Sequence, residues 1–475
     1  MADHSGLFDG VFARGGAETD SRAWLRAMLA TEAALARALE RAGLAPAGAG
    51  ATVTAAAADA AAATGPFDPG ALGRQAALPG NPVPGLVAAL RKAVPPDAAD
   101  TVHRGATSQD IIDTAAMLLA RAALEQMAAD LAAAADACAE LAAAHRDTVM
   151  IGRTLLQQAV PVTFGLVAAG WLTGLDEASE AVARVRERRL AVQFGGAAGT
   201  LASLGDDGPA VAGLLADELG LALPVLPWHT DRSRIVEVAA ACAGVSGALA
   251  KIARDVTLLA QSEVGELHEG AGPAAPRGQD PQAPAASPRR GGSSAMPHKR
   301  NPVASIAILG CTRQVPGLLA TLAMATEQEL QRAAGAWHAE WEPLTALLRL
   351  TGSASSWAAD LLPGLVVDTS RMAANLAATK GLPLAEHVSS LLAGVLGGAQ
   401  AHDLVAEAGA RAVSAGLPLR DVLLAVPKLE ERLSAVGITA EQIDSALEPS
   451  GYLGAADAFV TAALDAHEAL GVRHG

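Results

Sequence analysis

Aromatic residues are scarce in this chain: one Tyr, six Phe and six Trp among 475 residues, or 3%. A core made without them must be aliphatic and closely packed, as long helices with small residues at their contacts allow. Cysteine is scarcer still, with Cys138, Cys242 and Cys311 far apart and no Cys-x-x-Cys. That odd, sparse set points away from a disulfide framework and towards small, buried, reduced thiols in a cytoplasmic protein. The histidines His229, His268, His338, His387 and His402 are scattered, so no metal-ligand cluster is visible and no metal is expected. No apolar h-region follows Asp3, His4 and Asp9, and no secretory signal is expected. Basic charge is also short: 35 Lys and Arg against 50 Asp and Glu leave a net charge of −15, which argues against nucleic acid as a partner. One uncharged run, from Thr154 to Leu175, is long enough to suggest a membrane span. It contains Gln157, Gln158, Pro161 and three glycines, so it reads as a buried bundle helix and no membrane association is expected. No internal repeat is present.

Helical periodicity dominates what remains. After Asp20-Ser21, a plausible cap, Trp24, Leu25, Met28, Leu29, Leu35 and Leu39 recur at helical spacing until Gly43, although Glu32 interrupts the apolar stripe. Residues 44–72 read as a loop and a weak helix. Long helical patterns run from Asp110 to His145 and over about 159–188, 233–266 and 303–351. Strand signals are nearly missing, apart from a short hairpin expected near 189–206 with its glycine cluster. The fold class is therefore all-α. Residues 271–290 hold five prolines and no helical pattern, which predicts a disordered or mobile tether.

The most informative stretch is residues 291–302, Gly-Gly-Ser-Ser-Ala-Met-Pro-His-Lys-Arg-Asn-Pro. Two glycines permit unusual backbone conformations. Asn301-Pro302 reads as a helix N-cap and first position, which would aim a helix N-terminus at an anion. The stretch is similar to the signature loop of the fumarase/aspartase superfamily, whose members make or break a bond at the carbon β to a carboxylate. Such chemistry passes through a doubly charged enolate-like species and needs a proton carrier, a cation and N–H donors. The resemblance implies Ser293 as the proton carrier and Lys299 as the cation, with Ser294, Met296 and Asn301 at the substrate.

Two further stretches resemble the same superfamily. His103-Arg104-Gly105-Ala106-Thr107-Ser108-Gln109-Asp110 is similar to the Thr-Ser-x-Asp segment of the adenylosuccinate lyase and carboxymuconate cycloisomerase branch. It implies that Thr107 and Ser108 bind a substrate carboxylate, beside His103 and Arg104; by residue type alone, the segment is a helix start. Gly152-Arg153-Thr154-Leu155-Leu156-Gln157 resembles the family's Gly-x-Thr-His-x-Gln pattern, with Arg153, Thr154 and Gln157 as binding residues and Leu155 where lyases carry a catalytic His. Leucine cannot move a proton. A carboxylate, with a pKa of roughly 4, attacks or leaves without one.

That substitution resembles the 3-carboxy-cis,cis-muconate cycloisomerase family. Phe194-Gly195-Gly196-Ala197-Ala198-Gly199-Thr200, Pro227-Trp228-His229-Thr230 and Ala334-Gly335-Ala336-Trp337-His338-Ala339-Glu340-Trp341 resemble it as well. The family implies a central bundle of long helices flanked by two smaller helical domains, here 1–104, 105–355 and 356–475. It also implies lactonisation of a small tricarboxylate in aromatic catabolism, with an adenylosuccinate lyase-like elimination of fumarate or a catalytically silent homologue as the alternatives, no cofactor, and a homotetramer whose sites are shared between subunits. Arg332 and His338 join the expected binding residues. Position 155 is expected to lie in a pocket suited to an apolar side chain.

Overall fold

The computed structural model describes residues 6–15, 18–62, 65–270, 291–292, 296, 298–425 and 437–474, with residues 472–474 described by backbone alone. The expected tether at 271–290 and the loop residues Ser293 and Ser294 lie outside the described residues. Helices dominate, so the all-α reading holds. The chain divides into two compact units.

The first unit comprises Met1–Ala132, Glu177–Ala250 and Ile306–Ala359. Its helix Ser21–Arg41 starts where Asp20 accepts the Ala23 N–H at 2.8 Å, the expected cap. Its inner face buries Leu25 and Leu29 in one cluster with Val53 of the helix Ala49–Ala62, Leu86, Leu90 and Ile111, and Leu35 and Leu39 are buried as well. The helix Ser108–Ala144 has 37 residues and so extends about 55 Å at 1.5 Å per residue. Alanine carries much of it: it has the highest helix propensity and leaves room for close approach.

The second unit comprises Ala133–Asp176, Lys251–Ser305 and Asp360–Gly475. Gly165 is required there, because a Cβ would meet Arg146 Cα at 2.7 Å and the Ala142 carbonyl at 2.8 Å. The shorter helices of 369–474 include Ala385–Leu396 and Gly398–Ala415, which bury Val388, Leu392, Leu404, Val405 and Leu419.

Several expectations are corrected. No paired strands occur at 189–206, which forms a loop buried over residues 190–196, with a single bridge from Ala191 to Ala222. The hairpin lies instead at β1 (Val149–Thr154) and β2 (Gln157–Thr163), of which β2 falls inside the run from Thr154 read as a helix, and the helix begins only at Phe164. The β-branched residues of 149–163 explain the strands. Gly152 sits at an irregularity in the ladder, where a Cβ would meet the Val160 carbonyl at 2.6 Å. The expected helix over 303–351 is broken into Val303–Thr312, Val315–Met324, Ala336–Ala339 and Trp341–Leu361, with Pro316 opening the second piece and Gly335 at φ +115° before the third. Strands β3 (Leu267–Glu269) and β4 (Leu365–Val367) form a second antiparallel pair.

Two stretches, Ser233–Leu259 and Val303–Met324, are long and apolar enough to cross a membrane. Half of the first is buried within the chain, as in a core helix, and the second is interrupted at Arg313-Gln314.

Candidate active site

In the first unit, four of the family-like stretches converge on two carboxylates to which sequence reading gave no part in the site: Asp110, read as a helix-start residue, and Asp113. Asp110 and Asp113 stand three residues apart on one face of the helix Ser108–Ala144, both almost wholly buried. Asp110 is a hub. Its Oδ2 accepts the N–H groups of Thr107 and Gly196, both at 2.9 Å. Its Oδ1 accepts the Gly195 N–H at 3.0 Å and lies 2.7 Å from His229 Nε2. The bond to Thr107, at the residue before the helix, makes this the expected helix start. One carboxylate therefore fixes the Thr-Ser segment, the glycine loop and the Trp-His segment together.

Asp113 performs the same service one turn on. Arg232 donates to both of its oxygens at 2.7 and 3.0 Å, and Trp337 Nε1 donates at 2.9 Å. The other edge of the guanidinium meets Glu340 at 2.6 and 2.9 Å, and the Trp228 ring lies 4.7 Å from Arg232 Cζ. Burial works against the Arg232 charge, but Asp113 and Glu340 outweigh it and hold the group protonated. Two carboxylates share one cation, and the excess falls on Glu340: burial raises its pKa, although Arg232 bonds it.

Among the expected binding residues of this unit, Arg332 and Thr107 are brought together. Arg332 donates to Thr107 Oγ1 at 3.1 Å and to the carbonyls of Gly196 and Ala197 at 3.3 and 2.9 Å. The Thr107 hydroxyl thus keeps its own hydrogen for a ligand. Ser108 opens the helix, half-buried. Arg104 is exposed and donates to the Leu44 carbonyl. His103 rests against Glu32. His338 is exposed, its ring 4.7 Å from that of Trp341.

The second unit carries the signature loop and the Gly-Arg-Thr segment. The loop is clasped at its base: Asn301 donates to the Gly291 carbonyl through its backbone N–H at 3.0 Å and Nδ2 at 3.1 Å. Gly291 has φ +76°, and a Cβ would meet the Asn301 carbonyl at 2.1 Å, so only glycine fits. Lys299 is exposed and donates its N–H to the Met296 carbonyl. The expectation that Asn301-Pro302 aims a free helix N-terminus at an anion is overturned. The helix begins at Val303, and Glu269 of β3 accepts the N–H groups of Ala304 and Ser305 at 3.0 and 2.9 Å. An acidic side chain of the protein already occupies that positive end.

Arg153 is engaged as well: its guanidinium grips both oxygens of fully buried Glu266 at 2.9 and 2.8 Å, and Asn375 donates to the same carboxylate at 2.7 Å. Thr154 and Gln157 flank the hairpin turn and are exposed. Leu155 and Leu156 form that turn with φ +51° and +65°. Leu155 is 96% exposed, so within the chain it occupies no apolar pocket, contrary to expectation. A two-residue turn with both φ positive normally favours Asn-Gly.

All three cysteines are buried and free. Burial pushes the Cys138 and Cys242 thiols up to about 12 and Cys311 to about 11, which removes them as nucleophiles. Among the described residues no group of three His, Cys, Asp or Glu side chains is placed to hold a metal ion.

Buried carboxylates thus order the glycine-rich and Thr-Ser segments of a helical fold. A sequence model of the family described as "Lyase" matches residues 13–317, and one described as "Adenylosuccinate lyase C-terminus" matches 381–463. The chain belongs to this lyase family, the fumarase/aspartase superfamily. It is 45% identical over 455 residues to the 3-carboxy-cis,cis-muconate cycloisomerase of Bradyrhizobium diazoefficiens, covering 95% of each chain. It is 44% identical over 459 residues to the nitrosuccinate lyase of Streptomyces davaonensis, covering 94% of this chain and 91% of that one. The crystal structure of the 3-carboxy-cis,cis-muconate lactonizing enzyme of Pseudomonas putida matches with a TM-score of 0.87 at 41% identity, covering 98% of this chain and all of that one.

Proposed function

We propose that the chain is a cycloisomerase that lactonises 3-carboxy-cis,cis-muconate in protocatechuate catabolism, on the β-ketoadipate route. The observation that carries this reading is Leu155, at the tip of the Gly-Arg-Thr hairpin, in a chain 45% identical to a carboxymuconate cycloisomerase. With no imidazole at this position, the enzyme has no acid there to protonate a basic leaving group. A substrate carboxylate needs none.

In the reaction, one carboxylate oxygen forms a C–O bond to the distal alkene carbon. The π pair moves onto the carbon α to another carboxylate, giving a dianionic aci-carboxylate. Ser293 delivers a proton to that carbon, and solvent restores the serine. Lys299 and Asn301 bind carboxylate and, with loop N–H groups, stabilise the charge that develops. Thr107, Ser108 and Arg332 hold a second carboxylate. The tricarboxylate has three negative charges and the lactone two, so each turnover takes up one proton. No cofactor enters. The active form is a cytoplasmic homotetramer in which the Thr-Ser, Gly-Arg-Thr and Ser-Ser segments of different copies complete each site.

A second reading is supported by the 44% identity to a nitrosuccinate lyase. Nitrite is a weakly basic leaving group that departs unprotonated, so Leu155 is compatible with it. Eliminating nitrite from nitrosuccinate breaks C–N and C–H bonds and releases a proton. A weakly buffered assay with a pH indicator, run on carboxymuconate, nitrosuccinate and adenylosuccinate, separates the readings. Proton uptake on carboxymuconate supports the cycloisomerase; proton release on nitrosuccinate with carboxymuconate untouched would overturn it.

A further inference from the structure

The helix Ser21–Arg41 has a buried apolar face, yet in the middle of it Glu32 is completely buried. A carboxylate withdrawn from water needs hydrogen bonds and a compensating positive charge. A single residue takes both oxygens. Oε2 accepts the His103 backbone N–H at 3.0 Å, and Oε1 lies 2.7 Å from His103 Nδ1. Among the described residues no Arg or Lys forms an ion pair with Glu32; its side-chain partner is that imidazole.

The grip also explains an unusual backbone. His103 has φ +62°, in the left-handed region that residues with a Cβ rarely enter. One carboxylate holds its N–H and its ring together, so the conformation and the ring plane are fixed by the same group. A carboxylate only accepts hydrogen bonds, so Nδ1 carries a hydrogen and Nε2, on the far edge of the ring, is left for another partner. The ring is 18% exposed, and the carboxylate-binding Thr107-Ser108 segment follows four residues on.

We propose that Glu32 is a positioning residue for substrate binding: its buried side chain fixes the backbone and the ring plane of His103, so that Nε2 on the outer edge of the ring faces a substrate carboxylate. The inference rests on the reading above only in taking the ligand to be a polycarboxylate.

The test is a calorimetric titration of the full-length protein with propane-1,2,3-tricarboxylate, in wild type, Glu32→Gln, His103→Asn and the double variant. Glu32→Gln keeps the shape but replaces one of the two accepting oxygens by a donor. His103→Asn keeps an amide N–H for Glu32 but loses the outer donor. Each single change is expected to raise Kd at least about tenfold, and the double variant to bind no worse than His103→Asn within about twofold, as coupled residues require. Glu32→Asp, which keeps both accepting oxygens, should recover much of the affinity. A purely structural Glu32 would lower Tm without moving Kd. The proposal fails if Glu32→Gln binds within about twofold of wild type, if the two losses multiply, or if wild type does not bind the tricarboxylate. Should Glu32→Gln not fold, His103→Asn decides alone, by losing the affinity or keeping it. Turnover of carboxymuconate by wild type is scored separately: its absence would sink the cycloisomerase reading and leave the calorimetric comparison standing.

Discussion

Asp113 holds Arg232 through two hydrogen bonds, 2.7 and 3.0 Å long, with both side chains almost completely inside the protein. Removing one partner from such a pair leaves an uncompensated buried charge. Here it would leave two, because Glu340 shares the guanidinium. Arg232→Ala is therefore expected to cost about 3–5 kcal/mol of stability, measured by urea denaturation. Arg232→Lys should recover little, since an ammonium cannot present two forked edges to two carboxylates. A loss below about 1 kcal/mol would show that the network matters little for stability.

Ser293→Ala should lower carboxymuconate turnover by at least about 100-fold, the contribution of a positioned proton carrier. Circular dichroism and Tm should stay at wild-type values. Near-normal turnover would remove Ser293 from its proposed role.

His467, on the helix Ala456–His474, lies 2.9 Å from Asp176 and 3.1 Å from Asp136. Burial opposes its charge, but hydrogen bonds and charge from Asp176, then Asp136, raise its pKa above the ordinary 6.5. A folded value above the unfolded one gives stability that is fully present below pH 6.5 and is lost as pH rises through the folded value. Wild-type Tm should therefore decline from pH about 6 to about 9 more steeply than that of His467→Gln. Parallel curves would show that the clasp has no such linkage.

Replacing the turn Leu155-Leu156 by Asn-Gly suits the positive φ of both positions and should leave Tm unchanged or higher. If the exposed leucines help to complete a site in another copy, kcat/KM should fall at least about tenfold. Unchanged kinetics would restrict the leucines to a turn.

The helices were legible wherever a cap and a period agreed, as at Asp20 followed by the Leu25, Leu29, Leu35 and Leu39 stripe. The hairpin was not, because Leu155-Leu156 carries none of the residues that usually announce a turn with positive φ. Motif resemblance located the Thr107, Gly195 and Trp228 segments, but the carboxylates that join them lie within a helical pattern. Asp110 reads as a helix-start residue, and the Arg232 and Trp337 that bond Asp113 lie over 100 residues away. Glu269 shows the same limit: nothing local marks it as the cap of a helix that starts at Val303. Long-range satisfaction of buried charge has no sequence period to betray it.

The clasp between Gly291 and Asn301 has an engineering consequence. Gly291 and Asn301 hold the two ends of the loop together, with Gly292 paired to Arg300. A relative's loop grafted between the same glycine and asparagine would keep both anchors and would leave the Glu269-capped helix in place. Even doubling the insert would add only about 0.6 kcal/mol of closure entropy.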